Sequence, residues 1–261
     1  WDTYRTAWAA YALFTPTLDG ELLDGLIAHY KDNGWIPLWI APGGAESMLG
    51  TSSDIIFADA YVKGVSFDYQ TAYESMLKNA ATVSSDTRNG GRVENATAVF
   101  TGYVTNSTNN GFSWTMEDYI SDYCISVMAE KLGYSDEAYY YANRSKSYIQ
   151  MYNSKLGFFM GKNAAGEWSS GSGYNPASWW GDYSETNGWT MSFATVYDGN
   201  GLANLYGGKE KFAEKLDAYF DNSLSAMKRV SGGGIHEMVE ARELKMGQYQ
   251  HSNQPSHAIP Y

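Results

Sequence analysis

The sequence predicts an all-α protein whose helices come in pairs joined by short turns, as in a layered toroid or bundle. Three observations point there. Apolar residues recur at helical spacing over most of the chain. Acidic starts and Asn or Gly stops punctuate those stretches. Extended patterning is confined to residues 92–104, where Asn, Thr and Gly weaken it.

Residues 19–30 place Leu22, Leu23, Leu26 and Ile27 on one stripe and stop at Asn33-Gly34. Residues 54–65 and 68–83 form a second pair, each opening on an Asp able to cap orphan N–H groups. Residues 114–132 make the longest helix, ended by Gly133, and 135–152 follow behind Ser135-Asp136-Glu137. Residues 184–196, 198–206 and 209–220 complete the set, with Gly207-Gly208 as a break. Long loops at 35–53, 84–113, 157–182 and 228–252 carry Trp35, Trp39, Trp168, Trp179 and Trp180. Indole faces either pack down onto the core or stack on the apolar faces of sugars.

Composition removes several classes. With 18 Lys and Arg against 29 Asp and Glu, the net charge is -11, the wrong sign for a phosphate backbone. Aromatics at 16% with charged residues at 18% exclude a disordered chain. No apolar run approaches the roughly 20 residues of a membrane span. The single cysteine, Cys124, allows neither an internal disulfide nor a thiolate metal cage, and its helical setting suggests an inert buried thiol. Glycosylation sequons at Asn95, Asn106 and Asn143 occur at about chance frequency and decide nothing. There is no dinucleotide fingerprint, P-loop or Gly-x-Ser-x-Gly elbow.

Four segments could carry chemistry. Trp1-Asp2-Thr3-Tyr4-Arg5-Thr6 reads either as a helix start with Arg5 ion-paired on the surface, or as Asp2 and Arg5 bonding substrate hydroxyls. Asp118 and Asp122, at i, i+4 with Glu117 beside them, read as a solvated acidic face or as a cluster facing substrate or a cation. Glu185 stands between Tyr183 and Trp189 in a charge-poor stretch. A carboxyl desolvated by rings has the raised pKa that a general acid needs, whereas the plainer reading is a first-turn acid on a helix dipole. Gln250 to His257 gathers His251, Asn253, Gln254 and His257 around Pro255: a polar loop, or oxygen ligands for a hard cation with imidazoles for a sugar.

Taken in order, these segments resemble the calcium-dependent exo-α-mannosidases of glycoside hydrolase family 92. The family's Trp-Asp-Thr-[Phe/Tyr]-Arg-Thr is matched at residues 1–6, and its Gly-Gly-Trp-[Leu/Ile]-Pro-x-Trp at 33–39, with Asn33 for the first Gly. A Gly-x-x-[Ser/Ala]-x-x-x-x-Ala-Asp-Ala-Tyr-x-Lys-Gly stretch is similar to residues 50–64. The helix pattern Ser-x-Thr-x-Glu-x-x-x-x-Asp-x-Cys-Ile is met at Ser113, Thr115, Glu117, Asp122, Cys124 and Ile125. Tyr-x-Glu-Gly-Asn-x-Trp is met at Tyr183, Glu185, Asn187 and Trp189, with Thr186 replacing Gly. Asp198, Gly201-Leu202 and Gly207-Gly208 fit as well, and Gly-Asn-[Glu/Gln]-Pro-x-His is met at residues 252–257, with Ser252 for Gly and Gln254 where many members have Glu.

The resemblance implies an (α/α)6 toroid, incomplete within this chain. Residues 1–261 would be part of a single catalytic domain, with the family's N-terminal β-sandwich and the C-terminal part of the barrel outside it. It implies inverting hydrolysis of terminal α-mannosides or N-glycans with Ca²⁺, in a secreted or periplasmic setting. By the same likeness Glu185 would be the general acid, and the cation would sit near Asn253 and Gln254. Asp2, Arg5, Trp189, His251 and His257 would bind substrate. The family's base, an Asp, would follow Tyr261, so the fragment alone would be inactive. The alternative is a helical barrel that binds mannosides without cleaving them.

Overall fold

The computed structural model describes residues 1–261 except 46, 172, 180 and 222–234, so Trp180 and the start of the 228–252 loop lie outside the described residues. The chain divides into two units, residues 1–104 with 114–147 and residues 105–113 with 148–261. Each is helical, as the sequence predicts.

The first unit opens with α1 (Ala7–Phe14) and α2 (Pro16–Asn33). Pro16 begins α2, where its preset φ costs nothing and its missing N–H would have been an orphan. Gly34 closes the helix in the left-handed region at φ 77, so the Asn33-Gly34 stop works as expected. α3 (Ser52–Val62) and α4 (Tyr69–Ala81) pack together as a pair. Asp68 caps α4 by accepting the Thr71 N–H at 3.2 Å. Asp54 does not cap α3: it lies inside the first turn and points into the interior, accepting from Thr51 Oγ1 at 2.6 Å and Asn79 Nδ2 at 2.8 Å. α5 (Asn95–Thr101), α6 (Gly111–Leu132, whose residues 111–113 group with the second unit) and α7 (Ser135–Ser145) follow. Leu23, Ile27, Phe57, Met76, Ile125 and Met128 form the core, with Cys124 partly buried against it. Burial pushes the Cys124 thiol well above its ordinary value, as an inert thiol requires.

After residues 105–113, the second unit takes up the chain at 148, within a 3-10 turn (Lys146–Met151) that leads to a two-residue antiparallel ladder. β1 (Tyr152–Asn153) pairs with β2 (Phe158–Phe159), Tyr152 opposite Phe159. Then come α8 (Gly188–Met191), α9 (Gly199–Leu205), α10 (Lys209–Phe220), α11 (His236–Glu243) and a 3-10 turn (Gln254–Ser256). Asp198 caps α9 through the Gly201 N–H at 2.9 Å. The core is aromatic: Phe193, Tyr219 and Tyr249 with Ile259, flanked by Trp189 and Phe212.

Several elements differ from the sequence reading. Residues 92–104 are not extended; they turn and form α5, in which Asn95 is buried and donates to the Thr82 carbonyl at 3.1 Å. Residues 135–152 split into α7 and the 3-10 turn. The helix expected over 184–196 shrinks to the single turn of α8, because Glu185 sits at φ 49 and Asn187 restarts the chain as a cap. α1 and α11 were not legible; α1 is Ala-rich and apolar on every side, so it shows no stripe.

Candidate active site

Residues 182–189 are fixed from several directions. The Ser113 N–H donates to the Asp182 carbonyl at 3.2 Å, and Ser113 Oγ accepts the Ser184 N–H at 2.9 Å. The Tyr183 hydroxyl reaches the Phe159 carbonyl at 2.9 Å, and its ring meets Phe112 edge-on. Burial lifts the Asp182 carboxyl above its ordinary value. Between these anchors Glu185 is partly buried with φ 49, a left-handed backbone uncommon for a residue with a Cβ. It precedes α8 rather than entering it, so it is not a first-turn acid on that helix. Asn253 Nδ2 donates to the Glu185 carbonyl, holding that conformation from 68 residues away.

Beneath lies a neutral polar network. Asn187 caps α8 through the Thr190 N–H at 3.1 Å and donates to Gln248 Oε1 at 3.0 Å. The Thr190 hydroxyl meets Gln250 Oε1 at 3.1 Å and the Tyr219 hydroxyl at 3.1 Å. All of these side chains are buried and none carries a charge. The second polar segment of the sequence thus runs alongside the first. Asn253 is 1% exposed, and among the described residues its Oδ1 has no hydrogen-bond partner. A buried amide oxygen left over in this way suits a hard cation. Gln254 opens the closing 3-10 turn, partly buried, beside it in sequence. Among the described residues no group of three or more His, Cys, Asp or Glu could hold a metal, so a cation here would draw on neutral oxygens. His251 is exposed, with Nδ1 3.0 Å from the Tyr249 hydroxyl, and His257 is partly buried.

Trp189 is partly buried. Its ring meets Phe158 edge-on at 5.1 Å, and the Lys215 ammonium lies 4.4 Å from its centre. Lys215 also donates to the Gly157 carbonyl at 3.1 Å, and burial lowers its pKa to about 7. The indole is therefore engaged in packing on this side.

In the first unit, Trp1, Asp2, Tyr4, Trp8 and Trp39 line a cleft of about 230 Å³. Asp2 is exposed at its mouth and accepts the Trp39 indole N–H at 3.0 Å. Arg5 is not on the surface; its side chain is 13% exposed and pairs with Glu117 at 2.5 Å. Of the loop tryptophans, Trp39 faces the cleft, Trp35 lies under the Lys78 ammonium and Trp179 is buried against Met238.

The acidic face expected on α6 is not solvated. Asp118 is 9% exposed and Asp122 is 2% exposed. Arg92, buried itself, lies 2.7 Å from Asp122, 3.4 Å from Asp118 and 3.8 Å from Asp54, while Arg144 holds Asp122 at 2.5 Å. Burial raises the carboxyl pKa of both Asp54 and Asp118 to about 7. Three carboxylates thus share two guanidiniums inside the unit.

The family model for the glycosyl hydrolase family 92 catalytic domain matches residues 1–261. The chain belongs to that family. An uncharacterised secreted glycosidase of Arthroderma benhamiae is 28% identical over 238 residues, which is 76% of this chain and 30% of that protein. An inverting family 92 mannosidase of Bacteroides thetaiotaomicron matches with a TM-score of 0.84 and 30% identity, over 98% of this chain and 35% of its own. A family 92 α-mannosidase of the same bacterium, solved with mannoimidazole, also gives 0.84, at 27% identity over 99% of this chain and 33% of its own. The chain therefore spans about a third of the length of these family 92 relatives. Sequence reasoning missed Arg92 and Arg144 as partners of the acidic pair. The available signal was Asp118 and Asp122 at i, i+4 with no cation spaced to pair with them on their own helix.

Proposed function

We propose that this chain is part of an (α/α)6 catalytic domain of a secreted exo-α-mannosidase that inverts configuration, with Glu185 as general acid. The strained Glu185 backbone, held by Asn253, carries the reading: strain of this kind persists where surrounding structure over-determines it and clusters at functional sites. Membership of family 92 and the mannosidases among its structural relatives support the substrate class.

In the reaction, the Glu185 carboxyl protonates the glycosidic oxygen as the bond to the terminal mannose breaks. A water then attacks the opposite face of the oxocarbenium-like centre, activated by a second carboxylate about 6.5–9.5 Å from the acid. No residue of this chain is assigned that second role. His251 and His257 contact the sugar from the Asn253 segment. In the first unit Asp2, on the cleft, is the hydroxyl-binding group, with Arg5 paired to Glu117 behind the cleft wall. Trp189 lies four residues beyond the acid and backs the sugar there. Asn253 and Gln254 would hold Ca²⁺, which would supply positive charge to stabilise the sugar in its transition-state form. Incubating the full-length protein with α-mannobiose and following the product by proton NMR tests this function. β-Mannose should appear first and then mutarotate. First appearance of the α-anomer overturns inversion, and binding without release marks a non-catalytic mannoside binder.

A further inference from the structure

Glu117 rises from α6 with 5% exposure and makes two bonds, both to the first residues of the chain. Its Oε1 accepts from Arg5 Nη2 at 2.5 Å, and its Oε2 accepts from the Tyr4 hydroxyl at 2.7 Å. Burial holds the Tyr4 phenol well above its ordinary pKa, so it stays a donor. The Arg5 guanidinium in turn lies over two rings at once, 4.6 Å from the centre of Trp1 and 4.2 Å from that of Tyr4. Those two rings line the 230 Å³ cleft, whereas Arg5 stands behind them. Arg5 Nη1 also reaches the Trp1 carbonyl at 3.4 Å.

Room for this arrangement is made by Gly50. A Cβ there would stand 2.9 Å from the Glu117 Cβ, and its φ of 82 disfavours any side chain. A carboxylate that pins a guanidinium, which stacks on two aromatic faces, is a rigid support.

We propose that Glu117 is a positioning residue: through Arg5 it fixes the Trp1 and Tyr4 rings that form one wall of the substrate cleft. The proposal rests on the α-mannosidase reading, in which this wall receives a mannosyl residue. Removing the carboxylate charge leaves Arg5 buried without its anion, and the guanidinium with its two rings loses its single orientation. Substrate binding then suffers more than the bond-breaking step, since Glu117 touches neither the acid nor the reacting oxygen in this account.

The test measures kcat and KM for α-mannobiose in the full-length protein, for wild type, Glu117→Gln, Arg5→Ala and the double variant. KM should rise tenfold or more in Glu117→Gln while kcat stays within threefold. In the Arg5→Ala background, the second change should move KM less than twofold, because the two residues act as one unit. A folded Glu117→Gln with wild-type KM overturns the proposal, as does a double variant whose KM losses multiply. Should Glu117→Gln fail to fold, Tyr4→Phe keeps the ring and removes one bond to the carboxylate. It should raise KM about threefold without lowering Tm, and an unchanged KM overturns the proposal. A wild type that releases no mannose overturns the α-mannosidase reading itself, a result distinct from an active wild type indifferent to Glu117.

Discussion

The first unit buries an ionic array: Asp54, Asp118 and Asp122 share Arg92 and Arg144, and Glu117 holds Arg5. The second buries a neutral network, built from Asn187, Thr190, Gln248, Gln250 and Tyr219. A buried ion pair must be matched charge for charge, since either partner left alone keeps its full desolvation cost. A network of amides and hydroxyls can carry a surplus oxygen more cheaply, and Asn253 Oδ1 is such a surplus. The first arrangement suits a rigid support and the second suits a site that receives a ligand.

The largest effect expected from this contrast concerns the cation. Chelation by EDTA should abolish mannoside cleavage by the full-length protein, more than a hundredfold, and Ca²⁺ alone should restore it. Restoration by Zn²⁺ only would break the assignment of the second unit's oxygens, because no Cys or His cage stands there among the described residues. Next come two substitutions compared by thermal and urea unfolding. Arg92→Met leaves three carboxylates facing one guanidinium and should cost about 3–5 kcal/mol. Asn187→Ala removes a helix cap and one amide bond and should cost about 2 kcal/mol. Equal costs would erase the distinction between the units.

Smaller, but with opposite signs, are the pH dependences. The native carboxyls of Asp54 and Asp118 titrate near 7, above the unfolded value, so the folded first unit binds more protons between about pH 4 and 7. Its stability should fall as pH rises through that window and then level off. Lys215 titrates near 7 when folded and at its ordinary higher value when unfolded, so above pH 7 the unfolded chain binds more protons. The second unit should therefore gain stability from about pH 7 to 10. Hydrogen-exchange protection of α4 and α10 amides, compared across pH 5–9, reads both trends. Parallel slopes would contradict the contrast.

What was legible in the sequence follows the same physics. α2, α3, α4, α6, α9 and α10 show themselves because periodicity and start or stop signals are local. α1 hides behind uniform apolarity, and α8 was overextended because the left-handed backbone of Glu185 has no signature in its side chain. The two polar segments of the site were each visible as unusual clusters. Their union through Asn253 and the Glu185 carbonyl spans 68 residues, which no local pattern encodes. The ionic array was half legible. Asp118 and Asp122 share one helix, whereas Asp54 comes from α3, Arg92 from a stretch that reads as extended and Arg144 from the next helix.

The central claim is that Glu185 supplies the proton to the leaving group, and leaving-group chemistry tests it most directly. An unactivated alkoxide needs that proton, a contribution of about 10²–10⁴ in rate, whereas dinitrophenolate departs with little help. Comparing kcat/KM of Glu185→Gln with wild type in the full-length protein, the loss on α-mannobiose should exceed that on dinitrophenyl α-mannoside by a hundredfold or more. Equal losses on the two substrates would contradict the claim and leave Glu185 a structural or sugar-binding residue.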